Sequence, residues 1–116
     1  MPKNNAGDIV DQYFTALKQK DFDTMRTLLD DEVTFVGPLG ATNGAGDYID
    51  ALKRVTASMV GVERQALFAD GEDVCQIYDL TLTAPAATLT VAQWLKVRDG
   101  RITAVRLYFD ARPYNQ

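Results

Sequence analysis

The chain has 116 residues, of which 47% are hydrophobic and 24% charged, and its formal net charge is −4. This balance, without a low-complexity tract or an apolar run of about 20 residues, excludes a disordered chain and predicts no membrane-spanning helix. The negative charge opposes the phosphate backbone, so we expect no nucleic-acid partner and no membrane partner.

The numbers of histidine and cysteine residues limit the kinds of catalytic and metal sites that the chain can form. The sequence has no histidine, the usual general base near pH 7 and the commonest zinc ligand, and its single cysteine excludes an intrachain disulfide. Any catalysis must therefore use Asp, Glu, Tyr, Lys or bound water, and we expect neither a cofactor nor a metal. The length predicts one domain over residues 1–116, with residues 1–7 as a frayed N-terminus that is not a signal peptide. Cytoplasm is the expected compartment.

In the first half of the chain, apolar residues recur at helical spacing and predict three helices. Asp8 is the predicted N-cap of a first helix, whose apolar stripe consists of Ile9, Val10, Tyr13, Phe14 and Leu17. Asp21 begins a second, shorter helix, which ends at the acidic residues 30–32. A strand is predicted at residues 32–36, a Gly-Pro-Leu-Gly turn at 37–40, and a third helix at 46–59, with Ile49, Leu52, Val55 and Met59 on its buried face.

Strand patterns fill the second half of the chain. The β-branched and aromatic runs are residues 62–69, 74–83, 88–97 and 102–110, with Asp-Gly pairs at 70–71 and 99–100. These runs predict an antiparallel meander. Helices first and strands last is the order of an α+β domain in which helices cover one face of a sheet, and curvature of that sheet would leave a cavity.

The last hairpin determines which side chains face that cavity. A three-residue loop at 98–100 pairs Val97 with Arg101 and Gln93 with Val105, which gives a face that is apolar except for Gln93. The opposite face then carries Trp94, Arg106 and Tyr108, a mixture of aromatic and charged groups typical of homodimer interfaces. A two-residue Asp-Gly turn would place Gln93 opposite Arg106. We favour the first register because it separates polar from apolar residues.

Residues 16–40 and the last hairpin together resemble a known superfamily. Their sequences are ALKQKDFDTMRTLLDDEVTFVGPLG and WLKVRDGRITAVRLYFD. They are similar to the nuclear transport factor 2-like superfamily, which includes SnoaL-like polyketide cyclases, ketosteroid isomerases and limonene-epoxide hydrolases. The resemblance implies a cone-shaped α+β fold, with three N-terminal helices packed on a curved antiparallel or mixed sheet that encloses an apolar pocket. On this fold, we expect a homodimer through the outer sheet face that carries Trp94, Arg106 and Tyr108.

In the ketosteroid isomerase-like branch, a helix-1 Tyr and an acid on the third sheet strand donate to an oxyanion. An Asp before the Pro of the first-strand turn moves the proton. Tyr13 matches the first role, whereas Gln93 stands at the second acid position and Gly37 at the position of the proton-carrying Asp. Gln93 retains an amide that can donate to a carbonyl oxygen.

The other two branches imply different acids. Epoxide hydrolase-like members hold a water with an Asp-Arg-Asp trio. Asp79 matches the first Asp, while Ile77 and Leu107 stand at the other two positions. The cyclases use a last-strand acid, and Asp110 fits that role only if a bulge near Phe109 turns it inward.

These observations leave two functions open. One is binding of a small hydrophobic, oxygen-bearing molecule with cofactor-free isomerase, cyclase or epoxide hydrolase chemistry, in which Asp79 is base or water-holder and Tyr13 or Gln93 donates to the ligand. The other is a non-catalytic ligand-binding or dimeric assembly module on the same fold. Structural roles compete at each position, because Tyr13 also fits a core aromatic and strand alternation also fits a solvent-facing Asp79.

Overall fold

Three helices cover one face of a six-stranded sheet, which confirms the predicted α+β class. The structure is a computed structural model that describes residues 5–115. Its elements are α1 (Ala6–Gln19), α2 (Phe22–Leu28), β1 (Leu29–Gly37), β2 (Gly40–Asn43), α3 (Ala45–Thr56), β3 (Met59–Asp70), β4 (Asp73–Thr83), β5 (Ala86–Arg98), β6 (Arg101–Tyr108) and a 3₁₀ turn at Arg112–Asn115. Among the described residues, no helix has the length and apolar character that crossing a bilayer requires.

The start of α1 corrects the predicted cap. Asn5, not Asp8, is the N-cap, and its side-chain oxygen accepts a hydrogen bond from the backbone N–H of Asp8 at 2.8 Å. Asp8 is instead the acid of the first turn, where it favours the positive end of the helix dipole. Helix α1 thus includes residues 6 and 7 of the predicted frayed segment, and residues 1–4 lie outside the described part of the chain.

The sheet order is β2-β1-β6-β5-β4-β3. All neighbours are antiparallel except β1 and β6, which run parallel, so the sheet is mixed. Strand β2 was not predicted, because its sequence, GATN, lacks the alternation and β-branched content of a strand. Pairing with β1 across the Pro38-Leu39 turn forms it. Helix α3 ends at Thr56, three residues earlier than predicted, and Met59 begins β3.

The last hairpin has a different register from the predicted one. Arg98 pairs with Arg101, so the loop is the two-residue Asp99-Gly100 turn, with φ of 54° and 77°. Positive φ at both positions is the type I′ geometry that suits a hairpin. A β-bulge then leaves Thr103 unpaired between the Val97 and Lys96 positions, and Gln93 consequently lies opposite Leu107, not Val105.

The bulge preserves the separation of polar and apolar faces. We call the helix-covered side of the sheet the inner face and the other side the outer face. On either side of the extra residue, Ile102 and Val105 are both fully buried on the inner face. In β4 the alternate residues from Val74 to Leu82 are buried, and in β5 those from Leu89 to Val97. The core therefore lies between the inner face and the helices.

Candidate functional site

A cavity of about 440 Å³ lies between α1, α3 and the inner face of the sheet. The turn between β1 and β2 and the segment after β6 complete its wall. Most of the lining side chains are apolar, including Leu17, Phe35, Leu52, Leu80, Val91 and Leu107. Its polar lining includes two tyrosines from different helices, Tyr13 of α1 and Tyr48 of α3, and Gln93 of β5.

Tyr13 and Tyr48 form a hydrogen-bonded pair through their hydroxyl groups. Both side chains are buried, with exposures of 0% and 1%. Burial raises the pKa of Tyr13 far above its usual value, and hydrogen bonds with Tyr48 and Gln93 oppose this rise without offsetting it. The pKa of Tyr48 is also raised, mainly by burial and to a smaller extent by the neighbouring Tyr13. The pair is therefore neutral at physiological pH and serves as a hydrogen-bonding group, not as a base.

A third tyrosine, Tyr78, lines the same cavity from β4. Its ring packs against Phe14 with 5.6 Å between the ring centroids. Burial also raises the pKa of Tyr78 far above the ordinary range, with a smaller contribution from Tyr13.

Hydrogen bonds continue from Gln93 away from the cavity. The amide nitrogen Nε2 of Gln76 donates to Oε1 of Gln93 at 2.8 Å, and both glutamines are buried. Nη1 of Arg64 donates to Oε1 of Gln76 at 3.5 Å and forms a salt bridge with Asp11 at 2.7 Å. The Arg64 guanidinium also lies 5.3 Å from the centre of the Phe14 ring. A line of polar contacts thus runs from Gln93, in the cavity wall, to the protein surface.

Asp79 does not line the cavity. Its neighbours Tyr78 and Leu80 do, and strand alternation places Asp79 on the outer face. There its carboxylate accepts hydrogen bonds from Nε2 of Gln65 at 3.0 Å and Oγ1 of Thr90 at 2.8 Å. This geometry does not support the predicted role of base or water-holder inside the cavity.

Asp110 lies beyond the end of β6 and is exposed. Hydrogen bonds from the Arg112 side chain lower the pKa of Asp110 to about 2. The inward turn that its predicted role requires does not occur, because the bulge in this strand is at Thr103, well before Phe109. Phe109, not Asp110, lines the cavity.

The cavity wall carries no carboxylate among the described residues, and Arg54 is its only charged member there. Residues 5–115 also contain no cluster of three or more Cys, Asp or Glu that could hold a metal. One polar atom of the wall lacks a partner in this part of the chain: the hydroxyl oxygen of Thr42 is buried without a hydrogen bond. The site can donate hydrogen bonds to a ligand but offers no acid-base pair.

Two residues of this site were missed at the sequence level. Tyr48 precedes Leu52 and Val55 by four and seven residues, so it belongs to the predicted apolar stripe of α3. Gln76 alternates with Val74 and Tyr78, which makes it a polar residue on the inward side of its strand. Both signals are visible in the sequence. Their meaning depends on the pairing of β4 with β5, which brings Gln76 opposite Gln93.

Comparisons with known proteins agree with this fold. A family model described as a SnoaL-like domain matches residues 10–105. The chain is similar to a solved protein from Kribbella flavida, with 28% identity, a TM-score of 0.90, and coverage of 98% of this chain and 93% of that one. It is also similar to an NTF2-like protein of unknown function from Cytophaga hutchinsonii, with 26% identity, a TM-score of 0.86, and coverage of 99% and 98%.

A third similar structure has a named activity. It is an LEH-like epoxide hydrolase from Mycobacterium tuberculosis, with 27% identity, a TM-score of 0.74, and coverage of 90% of this chain and 82% of that one. No curated protein matches the sequence significantly.

Proposed function

The chain belongs to the SnoaL-like domain family, and from this premise we propose that it binds a small hydrophobic molecule that carries an oxygen atom. The observation that supports the proposal is the contrast within the cavity. Its walls are largely apolar, while Tyr13 and Tyr48 form a neutral, hydrogen-bonded pair and Gln93 adds an amide group to the same wall. Apolar clefts with a few convergent polar groups are typical small-molecule sites.

The volume of the cavity, and the burial of a ligand inside it, further limit which molecules fit. A volume of about 440 Å³ lies within the range of pockets that hold compact ligands such as polyketide, terpene or steroid-like molecules. The apolar part of such a ligand gains roughly 25 cal/mol for each Å² removed from water. The oxygen atom determines orientation, because it must meet the tyrosine cluster or lose its hydrogen bonds to water without replacement.

The missing acids favour binding over proton-shuttling catalysis. Isomerisation needs a base that moves a proton, and epoxide hydrolysis needs acids that hold a water. The described cavity wall has no carboxylate, and Asp79 and Asp110 are hydrogen-bonded elsewhere. Any chemistry at this site is therefore limited to reactions that polarisation of an oxygen by Tyr13, Tyr48 and Gln93 can promote.

The test is a thermal-shift screen against steroid ketones, aromatic polyketides, terpene epoxides and fatty acids, because a ligand of the native state raises the melting temperature. We expect one class to stabilise the wild-type protein. The rise should shrink for Tyr48→Phe, which keeps the ring and removes the hydroxyl, and persist for the control Asp79→Asn on the outer face. No rise with any class, or an equal rise for Tyr48→Phe, would contradict the proposal.

We also propose that two copies of the chain associate through the outer face of the sheet. One row of paired residues crosses five strands there, and consists of Phe68, Cys75, Trp94, Arg106 and Val36. The exposures of Phe68, Trp94 and Val36 are 63%, 44% and 46%. Aromatic and arginine side chains are enriched in protein interfaces, and a two-fold axis would bury the same patch on both copies.

A further inference from the structure

Part of the cavity wall is exposed to solvent, and this part forms the opening of the cavity. It consists of the turn between β1 and β2, the last turn of α3 and the turn between β4 and β5. The exposed lining residues include Pro38, Leu39, Arg54, Val55 and Ala84. We call these five residues the rim of the cavity. Apart from Arg54, the rim is apolar.

The rim and the depth of the cavity differ in charge. Tyr48 is 1% exposed and forms the neutral pair with Tyr13. Arg54 follows Tyr48 by six residues in the same helix, which corresponds to about 9 Å along the helix axis. Helix α3 therefore contributes a hydroxyl group to the depth of the cavity and a guanidinium group to its rim.

Arg54 forms no salt bridge within the described part of the chain. Asp50 precedes it by four residues, a spacing at which opposite charges can meet across one helical turn. These two side chains nevertheless form no ion pair. A guanidinium group has five N–H donors and no acceptor, so the donors of Arg54 can bind an acceptor that a ligand brings to the rim.

A carboxylate is the ligand group that best matches this rim. Its two oxygens can accept a pair of parallel hydrogen bonds from one guanidinium group. A carboxylate deeper in the cavity would lie in a wall whose only charged residue, among those described, is Arg54. An unpaired charge held away from water is costly, so the carboxylate must lie at the rim. An amine would meet a like charge there instead.

We propose that Arg54 binds a carboxylate of the ligand, so that the ligand is a hydrophobic acid with its apolar body in the cavity and its anionic end at the rim. This inference rests on the proposed function, to which it adds the class and the orientation of the ligand. The oxygen that meets the tyrosine pair and the carboxylate that meets Arg54 are then at opposite ends of the molecule.

The experiment measures dissociation constants for 1-tetralone and for three derivatives with a chain on the aromatic ring, para to the carbonyl. The chain ends in a carboxylate, in its methyl ester or in an amine. For the wild type at ~0.01 M salt, we expect the acid to bind about fivefold more tightly than the ester and the amine to bind most weakly. At ~1 M salt the advantage of the acid should largely disappear. Because the net charge of −4 opposes anions, this advantage requires a local cation.

Two neighbouring cations of α3 provide matched variants. Lys53 also lies in the last turn, but its Nζ is 5.6 Å from the centre of the Phe22 ring and it does not line the cavity. Arg54→Met should abolish the preference for the acid over the ester, and Lys53→Met should retain it. Both variants remove one charge from the same helix end, so effects of net charge or of the helix dipole are matched. Equal preferences in the two variants would overturn the inference.

A charge reversal guards against a loss of affinity that comes only from structural damage. Arg54→Glu places a carboxylate at the rim, so we expect this variant to bind the amine more tightly than the acid. Its affinity for the uncharged 1-tetralone should remain close to that of the wild type. An Arg54→Glu protein that still prefers the acid to the amine would count against the role of Arg54.

The uncharged probes separate this inference from the proposed function. If 1-tetralone and the ester bind the wild type but the acid has no advantage that depends on Arg54, the inference fails and the proposed function is retained. If none of the probes binds the wild type, the proposed function fails, and the inference fails with it.

Discussion

At the scale of single residues, the tyrosines of the cavity show how burial and hydrogen bonding compete. A buried hydroxyl costs free energy unless it has a partner, and ionising it there costs more. For Tyr13, the hydrogen bonds with Tyr48 and Gln93 lower the pKa, but the loss of water around the ring raises it by more. The hydroxyl groups therefore remain protonated and available as hydrogen-bond partners over the whole physiological range.

This burial predicts a loss of stability in alkali. Tyr13, Tyr48 and Tyr78 all have a raised pKa in the native state, whereas in the unfolded chain they ionise near pH 10. Above pH 10 the native state holds more protons, so the free energy of unfolding should fall as pH rises, by up to about 4 kcal/mol per pH unit for three groups. Below pH 10 this contribution is fully present. Urea unfolding between pH 9 and 11 measures the slope.

Tyr78→Phe provides the control for that slope, because it removes one of the three titrating groups and keeps the ring. We expect the dependence on pH to weaken by about one third. A free energy of unfolding that stays constant between pH 10 and 11 would show that these tyrosines are accessible in the native state.

The sequence predicted individual site residues to different degrees. Tyr13 lies on an amphipathic helix, and Gln93 interrupts an apolar strand face, so both patterns indicated the inner side, where the structure has them. For Asp79, alternation allowed either face, and only the pairing of β4 with its neighbours determines that it lies outside. Arg64 gave no signal of its own, because its contacts with Asp11 and Gln76 join segments that are distant in the sequence.

At the scale of elements, the β6 bulge is the feature that sequence patterns alone did not predict. The type I′ turn at Asp99-Gly100 pairs Val97 with Ile102, and the same register continued would place Ala104, not Val105, opposite Leu95. The extra residue Thr103 shifts the register so that Val105 lies opposite Leu95, and the Thr103 hydroxyl donates to the backbone oxygen of Lys96 at 3.3 Å. The three-residue loop was a simpler way to separate the faces, but it left Ile102 without a place on the inner face.

The turn geometry predicts opposite effects for one substitution at two glycines. Gly100 has φ of 77°, so Gly100→Ala should destabilise the protein by about 1 kcal/mol, although a new methyl group meets no atom within 4 Å. Gly46, in the first turn of α3, has equally open surroundings. Gly46→Ala should stabilise by about 0.5 kcal/mol, because alanine loses less backbone entropy. Denaturant unfolding measures both changes, and equal signs would contradict this account.

At the scale of the whole molecule, the order of helices and strands was enough to predict an α+β fold with helices on one face. The runs predicted for β3, β4 and β5 lie within the observed strands. The sequence did not predict which strands pair with β1. Strand β2 exists because β1 offers it hydrogen bonds, and the parallel pairing of β1 with β6 joins segments about 70 residues apart.

The prediction for the whole molecule concerns the dimer interface that we propose on the outer face of the sheet. Trp94→Lys places a cation beside Arg106 in the proposed interface, and like charges across a two-fold axis should dissociate the dimer. Val60→Lys is the matched control, because Val60 is 66% exposed and about 26 Å along β3 from the row at Phe68. Sedimentation equilibrium should give a dimer for the wild type and Val60→Lys and a monomer for Trp94→Lys. A monomeric wild type would exclude the interface.

The central claim is that the tyrosine pair donates a hydrogen bond to a ligand oxygen inside an apolar cavity. The infrared stretch of the tetralone carbonyl, measured for the bound ketone, tests it most directly, because a donated hydrogen bond weakens the C=O bond and lowers its frequency. We predict a band below that of tetralone in hexane, and a return toward the hexane value in a Tyr13→Phe, Tyr48→Phe double variant. A bound carbonyl at the hexane frequency in the wild-type protein would contradict the claim.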